Sequence, residues 1–373
     1  MTSLTGWRCI GLSAVAVETN VNLAFDARPW EKPPHSLRRV VSLLVHTAET
    51  MGWEFELWNT GPLQPEFAAF AGRSRPWSEA PAATRAVALW SADFPRLTLP
   101  LPVVTTIHDV NPLLPDRRHA LARAWRAFRF RRKAAGALAA SRRVVTCSID
   151  AQGRLAAEFP AQAAKLMVVP YFVEPALRRP DTSARDAVLA QLGLKPGYIL
   201  FFASLRRHKN WDGLMRAYAL LPEVLRREHP LVLAGSYRRV EQDVRRLAEE
   251  LGIVEQLRLP GSIPEAGVPA LYAGAFLFAF PSFMEGFGLP PLEAMACEVP
   301  VIASHRTSIP EVLGDAPLYC DPAQPETMAA ALARAAQDAA LRTRLIEAGL
   351  RRVTRFTPRN TGAAMQAVLA ALT

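Results

Sequence analysis

Two carboxylates stand on either side of a glycine- and proline-rich turn in the segment PSFMEGFGLPPLEAMACEVPVIAS, residues 281–304. Glu285 precedes Gly286, Phe287, Gly288 and Leu289, and Pro290, Pro291 and Leu292 lead on to Glu293. The glycines let the backbone approach a ligand closely and permit positive φ. The prolines suit the first positions of a helix, where a missing N–H costs little. A helix starting there presents N–H groups and a dipole that favour a phosphate. Glu293 falls in or near its first turn and can accept hydrogen bonds from a vicinal diol such as a ribose. Glu285 stands on the other side of the anion position, within reach of a second polyol. A solvated loop that caps a helix fits the same residue types, and the residues alone leave both readings open.

A second constellation follows the apolar run YILFFAS. Ser204 closes the run, Arg206, Arg207, His208 and Lys209 come next, and a helix begins near Asn210. A lysine at a strand-to-helix turn is a point charge suited to a diphosphate; a solvated basic turn is the alternative. A third candidate is His108, at the end of VVTTIHD with Asp109 beside it. Such a histidine can orient a hydroxyl or share a proton, or serve only as a structural hydrogen-bonding group. Ser148, between the strand RVVTCS and a helix, suits a cap.

These side chains need strand ends to hold them. Strands are expected at NLAFD, EFELWN, PVVTTIHD, RVVTCS and KLMVVP, with helices over residues 36–50 and 121–140 and mostly loop over 61–84. The pattern loses apolar periodicity over residues 175–186, which reads as a linker. It restarts with YILFFAS, LVLAG, VEQLRLPG, AFLFAFPS, PVIAS and PLYC, with helices between them, over residues 325–350 and after Thr361. Alternating strands and helices imply an α/β architecture with largely parallel sheets. The expected domains are residues 1–180, residues 181–358, and a C-terminal helix over 359–373 that packs back on the first. Two such Rossmann-like domains are expected to face each other across a cleft.

The chain has 373 residues and a formal net charge of +10, which favours anionic partners. Its four cysteines, Cys9, Cys147, Cys297 and Cys320, form no CxxC pair, which argues against a disulfide framework or a Cys-rich zinc site. No uninterrupted apolar run reaches the ~20 residues needed to span a bilayer. Residues 9–17 read as an extra strand or a leader. The segment RRHALARAWRAFRFRRKAAGALAASRR is basic, with Trp125, Phe128 and Phe130 interspersed. A packed helix with a solvated basic face and contact with an anionic membrane surface are both open; no nucleic-acid-binding module accompanies it.

EGFGLPPLEAMACEVPVIAS resembles the signature of retaining glycosyltransferase family 4, with the likeness extending over residues 22–358 and densest after Tyr198. The resemblance implies the two-domain GT-B fold, a nucleotide-sugar donor, no metal cofactor, and transfer of a hexose to a glycan or lipid-linked glycan. The Leu-Pro-Pro-Leu-Glu form is similar to bacterial mannosyltransferases and implies mannose from GDP-mannose. By the same resemblance Glu293 binds the donor ribose, Glu285 and His108 lie beside the transferred sugar, and Lys209 holds the diphosphate. The backbone of Gly286, Phe287, Gly288 and Leu289, with Ser204, Arg206 and Arg207, completes the donor site. A cytoplasmic location is implied; peripheral attachment to the inner membrane face stays one of the two open readings of the basic segment.

Departures from the family pattern are specific. His208 replaces an arginine, Glu298 a glycine and His305 an asparagine, and residues 171–174 read Tyr-Phe-Val-Glu in place of Asn-Gly-Val-Asp. PPHSLRRVVSLL stands where relatives carry a glycine-rich loop and contains no glycine, with Arg38 or Arg39 at the usual arginine. That loss keeps a second reading open, a GT-B subunit weakened in catalysis that binds or scaffolds.

Overall fold

A computed structural model describes residues 21–31, 36–92, 99–108, 110, 120–236 and 240–372. The expectations for residues 9–17, for Pro34 and for Asp109 lie outside these residues. The chain divides into two compact units: the described residues up to Phe172 together with 357–372, and Val173–Phe356.

In the first unit the described strands are β1 (Asn22–Asp26), β2 (Glu54–Asn59), β3 (Ser74–Pro76), β4 (Ala88–Ser91), β5 (Val103–Thr106), β6 (Arg143–Thr146) and β7 (Leu166–Val168). They form one parallel sheet in the order β3-β2-β1-β4-β5-β6-β7. β1 and β4 are central and nearly wholly buried, as strands covered on both faces must be. The order turns back between β1 and β4, the switch point at which open α/β sheets bind ligands. The helix Pro358–Ala370 belongs to this unit and lies against the helix Ser36–Met51. Thr361 Oγ1 donates to Pro170 O at 2.9 Å and ties the helix to the chain beyond β7.

The second unit holds β8 (Tyr198–Phe202), β9 (Leu231–Ala234), β10 (Leu257–Gly261), β11 (Ala275–Phe280), β12 (Val301–Ser304) and β13 (Leu318–Cys320). They are parallel in the order β10-β9-β8-β11-β12-β13, with the switch point between β8 and β11. The core on one face joins Phe201, Leu214, Met215, Tyr218, Leu233, Leu277 and Met328, all essentially inaccessible.

Three local expectations are corrected. β4, the four residues ALWS, is absent from the sequence reading: it is short, has no β-branched residue, and is a strand because it pairs with both β1 and β5. Residues 61–84 are not mostly loop. They carry a 3₁₀ segment, Pro65–Arg73, and the edge strand β3, whose Pro76 an edge position tolerates. The stretch read as a linker contains the start of the helix Thr182–Gln191, capped by Asp181, whose carboxylate accepts from Ala184 N at 2.8 Å. Only Leu189 of that helix is buried, so it shows little apolar periodicity.

Candidate functional site

The second unit gathers its candidate residues at the C-terminal ends of β8, β11 and β12, beside the switch point. β8 ends at Phe202, and a short 3₁₀ turn, Arg207–Lys209, precedes the helix Trp211–Ala219. Asn210 joins them with φ 58°, in the left-handed region that Asn tolerates better than most residues. Its amide nitrogen donates to Pro281 O at 3.1 Å and Pro322 O at 2.7 Å, fastening the loops after β11 and β13 to the loop after β8. A Cβ at Gly213 would stand 2.3 Å from Asn210 Oδ1, so a side chain there would displace the Asn210 amide. Phe283 N donates to His208 O at 2.8 Å and closes the two loops on each other.

This packing brings Lys209 to Glu285. The ammonium lies 2.7 Å from each carboxylate oxygen, and the two side chains are only 16% and 9% exposed. Lys209 Nζ also stands 5.6 Å from the centre of the Phe280 ring. The Glu285 backbone is held on both sides: its N–H donates to Thr307 Oγ1 at 3.1 Å, and Ser308 Oγ lies 3.0 Å from its carbonyl. Ser308 Oγ also lies 3.2 Å from Phe287 O, so one hydroxyl braces the turn at two carbonyls. Thr307 adopts φ 55°. The sequence reading gave neither residue a part; their place in RTSIPEV, just after β12, was the available signal.

Gly288 caps the helix Leu289–Ala296 with φ 96°, a conformation that glycine adopts without a side-chain penalty. Pro290 and Pro291 follow Leu289 and have no N–H, so the donors of this turn come from the residues before Pro290. The helix start is therefore poorer in donors than its position alone implies. Phe287 is buried with its ring edge-on to Phe356 at 5.6 Å, which leaves only its backbone to face a ligand. Glu293 lies one turn into the helix, past the first turn, and is fully buried; Tyr272 OH donates to its Oε2 at 2.8 Å. Cys297 closes the helix, and burial, reinforced by the Glu293 charge, pushes its thiol up to about 12. Glu298 adopts φ 60°, the geometry for which glycine is suited.

Ser204, Arg206 and Arg207 lie on the same loop. Ser204 O accepts from Arg206 N at 2.7 Å, shaping the turn. Both arginine side chains are exposed, and no carboxylate of the described residues pairs with either.

In the first unit His108 follows β5. Its Nε2 stands 2.9 Å from Ala92 O and its Nδ1 meets Tyr171 OH. A carbonyl only accepts, so Nε2 carries a proton, and in the neutral ring the tyrosine donates to Nδ1. Both ring nitrogens are thus engaged within the unit. Ser148 caps the helix Ile149–Glu158, accepting from Ala151 N at 3.1 Å. At the β1/β4 switch point Asp26 is buried, taking Arg28 Nε at 2.8 Å, Arg28 Nη2 at 2.6 Å and Ser91 Oγ at 2.8 Å. The sequence reading missed this cluster because it missed β4. Arg38 is not on a loop: it lies in the helix Ser36–Met51, largely buried, with its guanidinium 4.5 Å from the centre of the Phe67 ring. Arg39 is exposed on the same helix.

Residues 186–352 match the family described as Glycosyl transferases group 1. The O-antigen chain mannosyltransferase B of Escherichia coli is 43% identical over 165 residues, 44% of this chain and 43% of that protein. The serotype-specific mannosyltransferase WbdA of Escherichia coli is 30% identical over 283 residues, 73% of this chain and 34% of that protein. The chain thus spans less than half the length of these curated relatives. Among solved structures, a sucrose-phosphate synthase from Thermosynechococcus elongatus superposes with a TM-score of 0.76 at 19% identity, covering 94% of this chain and 98% of that one. WaaG, a glycosyltransferase involved in lipopolysaccharide biosynthesis, gives 0.69 at 16% identity, covering 93% and 98%. The fold is a GT-B-type α/β fold of two Rossmann-like units; the chain is related in sequence to bacterial mannosyltransferases, and the glycosyltransferase family match falls in the second unit.

Proposed function

We propose that the chain is a retaining glycosyltransferase that moves a hexose from a nucleoside diphosphate sugar to a hydroxyl of a glycan or lipid-linked glycan. Mannose from GDP-mannose is the preferred donor. The observation that carries this reading is the Lys209–Glu285 pair beside the β8/β11 switch point, inside the segment related to glycosyltransferases. Cleavage of the anomeric bond develops negative charge on the leaving diphosphate, which Lys209, Arg206, Arg207 and the backbone of residues 286–289 stabilise without a metal. Glu285 faces the sugar, which acquires oxocarbenium character. Glu293 holds the ribose. His108 is kept as a candidate of the first unit by itself, where Tyr171 OH and Ala92 O fix its ring. The acceptor proton passes to a phosphate oxygen of the leaving group, and the reading requires no covalent glycosyl-enzyme. A nucleotide-sugar donor is a cytoplasmic metabolite, and the reaction is assigned to that compartment. Mannose is supported by the names of the two Escherichia coli relatives described above, while other relatives are D-inositol 3-phosphate glycosyltransferases.

A second reading, a catalytically weakened GT-B subunit, is favoured by one observation. Of the two arginines that could match the usual loop arginine, Arg38 is packed on Phe67 and Arg39 is exposed, both inside a helix that begins at Ser36 and not on a glycine-rich loop. One experiment separates the two: purified protein is screened against sugar nucleotides for thermal protection, then tested for transfer from the protecting donor in chelator. Transfer with retained anomeric configuration supports the enzyme. Protection without transfer to any glycan supports the binding subunit, and no protection by any donor overturns both.

A further inference from the structure

Residues 281–285, just after β11, are fastened through their backbone to neighbouring loops. Pro281 O accepts from Asn210 Nδ2 at 3.1 Å and Ser282 O accepts from Ser304 Oγ at 2.6 Å. Phe283 N donates to His208 O at 2.8 Å, and Glu285 N donates to Thr307 Oγ1 at 3.1 Å. Pro281, Ser282, Met284 and Glu285 are buried, whereas Phe283 in their midst is 41% exposed. Among the described residues of the second unit, no other aromatic ring is as open to solvent. No other ring and no cation of the described residues packs on it. A ring on a slack loop is exposed by accident of chain motion. This one stands on a turn whose backbone is held on both sides, so its exposure belongs to the fold. The segments that hold it are those of the candidate site. Its N–H is tied to His208, the neighbour of Lys209, and two residues further on Glu285 takes the Lys209 ammonium.

We infer that Phe283 is a stacking platform for a pyranose ring of the acceptor glycan. The inference rests on the glycosyl-transfer reading of the same site and adds a residue to it. One face of a pyranose is a patch of C–H groups made slightly positive by the oxygens on their carbons, and the face of a phenyl ring is negative, so the two attract when they lie flat on each other. The donor has other means of attachment: its diphosphate is drawn by Lys209, Arg206 and Arg207. A neutral glycan brings no charge to those cations. It has to gain affinity from hydroxyl hydrogen bonds and from contact area, and an uncovered aromatic ring on a fixed turn supplies contact area with little ordering cost on binding. The place of the ring, two residues from the carboxylate assigned to the transferred sugar, puts it where an arriving sugar has to come.

The test separates acceptor from donor. Wild type, Phe283→Ala, Phe283→Leu and Phe283→Trp are compared as full chains, with each unfolding temperature measured so that a folding defect is seen as such. The probes are GDP and UDP by calorimetry, and the methyl glycosides of mannose, glucose, galactose and N-acetylglucosamine by saturation-transfer NMR and as acceptors in a transfer assay. Leucine keeps apolar bulk without a ring, and tryptophan keeps a ring. The KM for the best glycoside is expected to rise roughly five- to tenfold in Phe283→Ala and Phe283→Leu and to stay within about twofold of wild type in Phe283→Trp. Nucleotide Kd and kcat are expected to stay within about twofold throughout, since an exposed side chain outside the donor contacts changes little else. An unchanged glycoside KM in Phe283→Ala overturns the inference, and so does a Phe283→Leu variant that matches wild type, which leaves bulk and not stacking as the cause. A loss of nucleotide binding in Phe283→Ala equal to its loss of glycoside binding overturns it in favour of the nucleobase. A dimer in sedimentation velocity that Phe283→Ala dissociates overturns it in favour of a second copy. Wild type that binds nucleotide but none of the glycosides overturns the inference and leaves the donor site standing. Wild type that binds neither nucleotide overturns the glycosyl-transfer reading and the inference with it.

Discussion

The Lys209 ammonium sits equidistant, at 2.7 Å, from both carboxylate oxygens of Glu285, so the cation assigned to the diphosphate is already partnered by the carboxylate assigned to the sugar. A phosphate arriving at Lys209 must share that ammonium with Glu285 or displace it. Glu285→Gln therefore strengthens binding of a plain nucleoside diphosphate while lowering kcat. Calorimetry with GDP and UDP, set beside turnover, checks this; weaker nucleotide binding in the variant removes Lys209 from the phosphate site.

Lys209→Ala leaves a largely buried carboxylate without its cation, since Glu285 is only 9% exposed at its side chain. Removing one partner of such a pair costs about 3 kcal/mol, the low end for a buried pair. The double variant Lys209→Met/Glu285→Gln recovers most of that stability without recovering activity. Urea unfolding of the two singles and the double measures the coupling.

Gly213→Ala drives a Cβ to 2.3 Å from Asn210 Oδ1 and so displaces the side chain that holds Pro281 O and Pro322 O. The expected loss is about 1–3 kcal/mol, the usual cost of overpacking. Donor affinity falls with it, because the loop carrying Glu285 is released. A substitution that is neutral by thermal unfolding and by donor binding shows that Asn210 has another way to sit.

Glu298→Gly is expected to stabilise the protein. The left-handed backbone costs a non-glycine residue roughly 1–2 kcal/mol, and the greater freedom of glycine in the unfolded chain returns about half of that. Glu298 is exposed, with φ 60°. The readout is a rise in unfolding temperature with unchanged kcat/KM.

Alkaline pH should weaken the fold. Burial pushes Cys297 and Cys320 from 9.0 up to about 12, with Glu293 adding at the first and Asp321 at the second. The folded state keeps these protons where the unfolded chain releases them. Their contribution is therefore complete below pH 9 and is lost as pH rises through 9 towards 12. Cys297→Ala should flatten the fall of unfolding temperature over that window. Alkylation at pH 8 should label at most Cys9 in the native chain and all four thiols in denaturant. Rapid native labelling of Cys297 contradicts its burial.

Much of the second unit was legible from residue order. AFLFAFPS and YILFFAS read as buried strands because both faces of a central parallel strand are covered, which leaves a continuous apolar run. Gly288 and the two prolines announced the turn and helix start after β11, because few residues tolerate those backbone geometries. What the sequence could not supply was partnership between residues far apart along the chain. That Lys209 neutralises Glu285, that Asn210 clips three loops together and that Thr307 and Ser308 brace the turn depend on loops from different strands meeting at the C-terminal end of the sheet, and that Tyr272 holds Glu293 depends on the packing of two helices. β4 was invisible for the same reason: four residues with no strand signature of their own become a strand only when β1 and β5 offer hydrogen bonds on both sides. Composition and periodicity determined which residue types lie at strand ends. Only the tertiary structure decided which of them touch, because that choice is made by hydrogen bonds and burial between segments that the local sequence does not connect.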